Sequence, residues 1–100
     1  MASDDNVLET RLVRMRGQVQ GIGYREACVR RAREMGITGW VRNLMDGSVE
    51  VLVQGSPKQL VDMCTWLREG MPAALIDEFE VTELPAPFAR FDAFDRLPTL

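Results

Sequence analysis

The hydrophobic pattern of this chain changes period twice in its first half, and each change falls on glycine. From Arg11 to Val19 the residues alternate, with Val13, Met15, Gly17 and Val19 on one face and Leu12, Arg14, Arg16 and Gln18 on the other. A period of two is that of a half-buried strand, and only Leu12 sits against the pattern. After Gln20-Gly21-Ile22-Gly23 the period lengthens: Tyr24, Ala27, Cys28, Ala32 and Met35 recur at three- and four-residue steps. Glu26, Arg30, Arg31, Arg33 and Glu34 fall mostly on the other side, which predicts an amphipathic helix closed by Gly36. Strand signals then return. Thr38 to Asn43 carries Trp40 and Val41, and Val49, Val51 and Val53 alternate with Glu50, Leu52 and Gln54. Asp46-Gly47 between them supplies the positive φ of a hairpin connection. At Ser56-Pro57-Lys58-Gln59 a second helix begins, with Ser56 as cap, Pro57 in the first turn and Gln59 completing a capping box. Leu60, Met63, Cys64 and Leu67 form its inward stripe and Gly70 ends it. Ile76, Phe79 and Val81 suggest a further strand before Pro85 and Pro87. Phe88, Phe91 and Phe94 are placed to cover a sheet edge, though their segment has no clear period.

Strand, helix, strand, strand, helix, strand is an α+β order. It predicts a ferredoxin-like βαββαβ sandwich, an antiparallel sheet with two helices on one face. This reading sets the strands joined by each helix side by side. No repeat, low-complexity tract or linker divides the 100 residues, a length that buries one core. The expected organisation is a disordered N-terminal tail over 1–8, a domain over 9–95 and a C-terminal tail over 96–100. Many activities share such a fold, so chemistry has to be sought in the site.

The chain has no histidine. Ser-His-Asp and Cys-His catalysis, His-held metals and His proton shuttles are thereby excluded. Cys28 and Cys64 lie in helical segments with apolar neighbours and read as buried free thiols. The net charge of −3 argues against a duplex nucleic-acid binder. Eight arginines nevertheless lie in the first half, from Arg11 to Arg42, so an anionic ligand is expected there. The polar, acidic start is not a secretory signal, and no stretch approaches the ~18 apolar residues of a membrane span. A cytoplasmic monomer without membrane or nucleic-acid partners is the expectation.

Gln18 to Arg25 lies between a predicted strand and a predicted helix. Gly21 and Gly23 permit positive φ and close backbone approach to a ligand. Successive N–H groups in such a turn make an anion-binding concavity, reinforced by the positive end of the next helix. The spacing is neither G-x-G-x-x-G nor a nucleotide P-loop, so no nucleotide is implied. Arg25 falls in the first helical turn, where the dipole disfavours a cation and a bound dianion would reverse that sign. Taken alone, Arg25 also reads as a solvated arginine and Asn43 as a turn former.

Gly17-Gln18-Val19-Gln20-Gly21-Ile22-Gly23-Tyr24-Arg25 resembles the first signature of the acylphosphatase family, G-x-V-Q-G-V-x-F/Y-R. Gly39-Trp40-Val41-Arg42-Asn43-Leu44-Met45-Asp46-Gly47-Ser48-Val49-Glu50-Val51 is similar to the second, G-W/Y/F-V-x-N-x-x-x-G-x-V-x-V, and the similarity runs from about Arg11 to Val81. The resemblance implies hydrolysis of the carboxyl-phosphate anhydride of a small acyl phosphate, with inorganic phosphate as product or inhibitor and neither metal nor organic cofactor. It gives Arg25 the phosphoryl group, Asn43 the attacking water, and the amides of the loop Gln18, Val19, Gln20, Gly21, Ile22, Gly23, Tyr24 and Arg25 the role of cradle. Ile22 stands for the usual Val, and Glu26-Ala27 replaces residues that are often aromatic, a change in the pocket wall. The segment after Phe88 departs most from the family pattern. Two other readings compete: a non-catalytic module that binds a phosphorylated ligand in the same cradle, and a ferredoxin-like RNA binder. The central strands offer Trp40 alone for base stacking, which disfavours the latter.

Overall fold

A computed structural model of the chain describes residues 7–100. Most of the expected N-terminal tail lies outside the described residues. In chain order the elements are β1 (Glu9–Gln18), α1 (Tyr24–Met35), β2 (Thr38–Asn43), β3 (Val49–Gly55), α2 (Pro57–Glu69), β4 (Leu75–Glu83) and β5 (Phe94–Arg96). The sheet order is β4-β1-β3-β2-β5. The ferredoxin-like α+β architecture is therefore as the pattern predicts, with β5 added at one edge.

The order corrects one expectation. Strands joined by a helix are not neighbours: β3 lies between β1 and β2, and β1 lies between β3 and β4. Each helix thus crosses over one strand. Because β1 and β2 both run antiparallel to β3, they are parallel to each other. Their C-terminal ends, Gln18 and Asn43, therefore emerge at the same end of the sheet. Two strand spacings separate them, roughly 10 Å.

The alternation of β1 works as read, with Val13 and Met15 fully buried toward the helices. Leu12, the apparent flaw, lies opposite Leu52 across the pairing of β1 with β3. That cross-strand apolar pair shields both residues on the other face. Beside it, Glu50 is buried between Arg14 and Arg42, at 2.6 and 2.9 Å. Desolvation alone would raise the Glu50 carboxyl, but bonds from Arg14 and Arg42 bring it below its ordinary value.

Helix α2 starts as its sequence demands. The Gln59 N–H donates to Ser56 Oγ and the Ser56 N–H donates to Gln59 Oε1. Leu60, Met63 and Leu67 are buried against the sheet, and Cys64 is half-buried. In α1, Cys28, Val29 and Ala32 face the same core, and Gly36 ends the helix in the left-handed conformation at φ 72°. Among the described residues, no helix is long and apolar enough to cross a membrane.

The chain from β4 to β5 has to cross from one sheet edge to the other. It passes over the face opposite the helices, where Gln54 donates to Ala89 O and accepts from the Phe91 N–H. Phe94 then enters the core, 1% exposed, and β5 pairs parallel to β2. The last residues, read as a tail, continue alongside β2: the Leu97 N–H donates to Val41 O and the Leu100 N–H to Asn43 O.

Candidate active site

The cradle forms where β1 ends. Val19 is fully buried and plugs the turn into the core, after which the chain passes Gly21 at φ 77° and Gly23 at φ 79°. Both glycines adopt the left-handed conformation that the loop reading required, one that a β-carbon would strain. Gly23 is also the N-cap of α1, and among the described residues no side chain caps that helix end. The first helical bond runs from the Ala27 N–H to Gly23 O. The amides of Tyr24, Arg25 and Glu26 consequently have no acceptor within the helix. Three N–H groups at the positive end of a helix form a site for an anion.

The Tyr24 side chain serves the fold. Its ring is 2% exposed and its hydroxyl donates to Leu67 O at 2.5 Å, beside Met15 Sδ. Desolvation raises the phenol far above its ordinary value, so it is a neutral anchor of the first turn of α1. Arg25 is half-buried, and no carboxylate among the described residues lies within ion-pair distance of it. Its guanidinium is left for another partner.

Asn43 closes the site from β2. The residue is 7% exposed, and its Oδ1 is buried without a hydrogen-bond partner among the described residues. A buried acceptor is normally paired, and leaving one unpaired costs about 1–3 kcal/mol. The hairpin turn behind Asn43 is held by Asp46, whose Oδ1 accepts from both the hydroxyl and the N–H of Ser48. Those bonds, the hydroxyl first, pull the Asp46 carboxyl below its usual range and keep it charged.

A cavity of about 190 Å³ joins these groups, lined by Val19, Gln20, Gly21, Gly23, Tyr24, Arg25 and Asn43. The sequence-predicted Gln18 and Ile22 do not line it. Gln18 is the last residue of β1, paired with Leu75, and Ile22 packs against the core. Glu26, which the sequence placed at the pocket wall, and Arg96, which it did not, do line it. The volume is below the roughly 300–1,000 Å³ of drug-sized pockets and suits a small ligand. A cavity of about 540 Å³ opens at the far end of the sheet. There Gln54, Ser56 and Gln59 bond to the protein itself, and Arg90 and Asp92 complete the polar lining.

One contact that the sequence reading missed ties the site together. Gln20 Nε2 donates to both Leu44 O and Ser48 O, each at 2.9 Å. It bridges the gap between the cradle and the end of β2, fixing the distance from Arg25 to Asn43. The only signal for this was the Gln in the first signature, and the sequence assigned it backbone chemistry alone. Gln20→Ala is expected to lower kcat/KM about 10- to 100-fold by loosening that distance. The loss of two side-chain bonds should remove ~1–2 kcal/mol of stability in urea. Wild-type turnover by the folded variant would show that the hairpin keeps its place without the tie.

Cys28 is no rival nucleophile. It is fully buried in the core, and burial pushes its thiol well above the ordinary range.

Comparison with known proteins gives this geometry a lineage. The acylphosphatase family model matches residues 12–95. Acylphosphatase 1 of Ralstonia nicotianae is 70% identical over 99 residues, covering 99% of this chain and 97% of its own. The acylphosphatase of Polaromonas naphthalenivorans is 55% identical over the full length of both chains. Among solved structures, an acylphosphatase from Coxiella burnetii superposes with a TM-score of 0.84 at 29% identity, covering 97% of this chain and all of that one. The family match takes in the loop, Arg25 and Asn43 alike, and the chain belongs to the acylphosphatase family.

Proposed function

We propose that this chain hydrolyses acyl phosphates to a carboxylate and inorganic phosphate, with Arg25 and the cradle amides holding the phosphoryl group and Asn43 aiming water at phosphorus. The observation that carries the assignment of roles is the buried Oδ1 of Asn43, unpartnered among the described residues, on a residue that lines the same cavity as Arg25. In this reading the amides from Gln20 to Tyr24 and the Arg25 fork bind the non-bridging oxygens. The water donates a hydrogen bond to Asn43 Oδ1 and directs a lone pair along the line of the P–O bond to be broken.

The residue inventory suits this substrate class. Phosphoryl transfer through a loose transition state needs positioning and charge stabilisation more than covalent help. An acyl phosphate expels a carboxylate, stable without protonation at neutral pH, so no general acid is required. An alkyl phosphate expels an alkoxide, which generally needs an acid or a metal. The water's proton passes to the substrate's own phosphoryl oxygens in this scheme. Bond making and breaking balance: the water O–P bond forms, the acyl O–P bond breaks, and the electron pair leaves on the carboxylate.

The scheme draws only on the chain's own guanidinium, amides and carboxamide. Turnover of benzoyl phosphate, followed by ultraviolet absorbance, is therefore expected to persist after EDTA treatment and extensive dialysis. Loss of activity with EDTA, restored by a divalent ion, would overturn the cofactor-free scheme. Stoichiometric binding of phosphate with no turnover would instead favour the binding-module reading.

A further inference from the structure

The Arg25 cavity has a second guanidinium on its wall. Arg96 ends β5 and lies opposite Val41 in the parallel pairing with β2, two residues from Asn43 along that strand. It lines the same cavity as Arg25 and Asn43. Its Nη1 bonds to Glu26 Oε1 across the wall, and among the described residues Glu26 is the only side chain it is bonded to. Both side chains are well exposed, 46% for Arg96 and 61% for Glu26. An exposed ion pair of this kind contributes little stability and opens readily. A phosphoryl group carries more charge than a carboxylate and offers several acceptor oxygens to a planar fork.

From this geometry we infer that Arg96 is a second substrate-binding arginine, which exchanges Glu26 for an oxygen of the phosphoryl group when an acyl phosphate or inorganic phosphate enters. The inference rests on the phosphate reading of the cavity given above. Glu26 acts as a placeholder: it keeps the guanidinium at the cavity wall and competes with the anion for it. Glu26 also lies in the first turn of α1, where a carboxylate is favoured by the helix dipole but repels the same anion. Removing either partner should therefore move anion affinity in opposite directions.

The test measures competitive inhibition by inorganic phosphate and the kinetics of acetyl phosphate hydrolysis in Arg96→Gln, Arg96→Lys, Glu26→Gln and the double variant. Arg96→Gln is expected to raise both the phosphate inhibition constant and KM by about 5- to 10-fold, with a smaller change in kcat. Arg96→Lys should recover part of that loss, because it keeps the charge without the fork. Glu26→Gln should tighten phosphate binding about 2- to 5-fold by freeing Arg96. Introducing Arg96→Gln into the Glu26→Gln background should cost at least as much as it does in the wild type. If Arg96→Gln has no further effect on phosphate affinity in the Glu26→Gln background, Arg96 merely neutralises Glu26 and the inference is wrong. Unchanged inhibition in Arg96→Gln would also overturn it. Wild-type protein that fails to hydrolyse acetyl phosphate would point to a failure of the phosphatase reading, a result separate from either outcome. Both substituted side chains are exposed, and thermal melts check that each variant stays folded.

Discussion

Arg25→Ala should cut kcat/KM for acetyl phosphate by about a thousandfold or more, a loss of ~4 kcal/mol in transition-state stabilisation. Competitive inhibition by inorganic phosphate should weaken with it, because the same guanidinium holds the ground-state dianion. The fold should be untouched. Among the described residues Arg25 has no ion-pair partner, and it sits in the first turn of α1. A cation there works against the helix dipole, by ~0.3–1 kcal/mol. The melting temperature of Arg25→Ala is thus expected to equal or exceed that of the wild type. Activity and stability moving in opposite directions mark a residue retained for chemistry. Arg25→Lys restores the charge and leaves the bidentate geometry broken, so its activity should fall between the two. A folded Arg25→Ala protein within tenfold of wild-type kcat/KM, or one still inhibited normally by phosphate, would remove Arg25 from the site.

What the sequence made legible was whatever rests on near neighbours. The capping box needs only Ser56 and Gln59, and both of its bonds form. The hairpin turn needs only Asp46 and Gly47, and Gly47 has φ 93°. The cradle needs two glycines with positive φ beside a helix start, again within a few residues. Asn43 was harder, since its approach depends on strand order. The order expected from the sequence was wrong, yet Asn43 still arrives at the cradle. The reason is parity: two successive antiparallel pairings return β2 to the direction of β1, so both strands end on the same side. Signals that depend on distant partners were not legible. Gln20 reaches carbonyls 24 and 28 residues away. Arg96 stands in a three-residue strand, too short for any period to show. Phe94 was placed at a sheet edge from its aromatic character, but nothing local indicated that β5 would pair parallel to β2 and carry Arg96 to the cavity.

Asn43→Ala is expected to separate the two halves of the proposed reaction. If the carboxamide orients water, its loss should lower kcat by about 100-fold while the phosphate inhibition constant changes by no more than about threefold. The physical ground is the unsatisfied Oδ1, buried at the end of β2. Deleting an acceptor that has no partner among the described residues breaks no hydrogen bond there, so stability should stay near that of the wild type. The backbone bond from the Leu100 N–H to Asn43 O is independent of the side chain and holds the strand end in place. Asn43→Asp makes a sharper comparison. It keeps an acceptor at the same reach but sets a negative charge beside a dianion, so phosphate binding should weaken as well as kcat. Alanine would then harm chemistry alone, and aspartate both chemistry and binding. Equal losses of kcat and phosphate affinity in Asn43→Ala would instead make Asn43 a phosphate ligand, and the origin of the attacking water would have to be sought among the cradle amides.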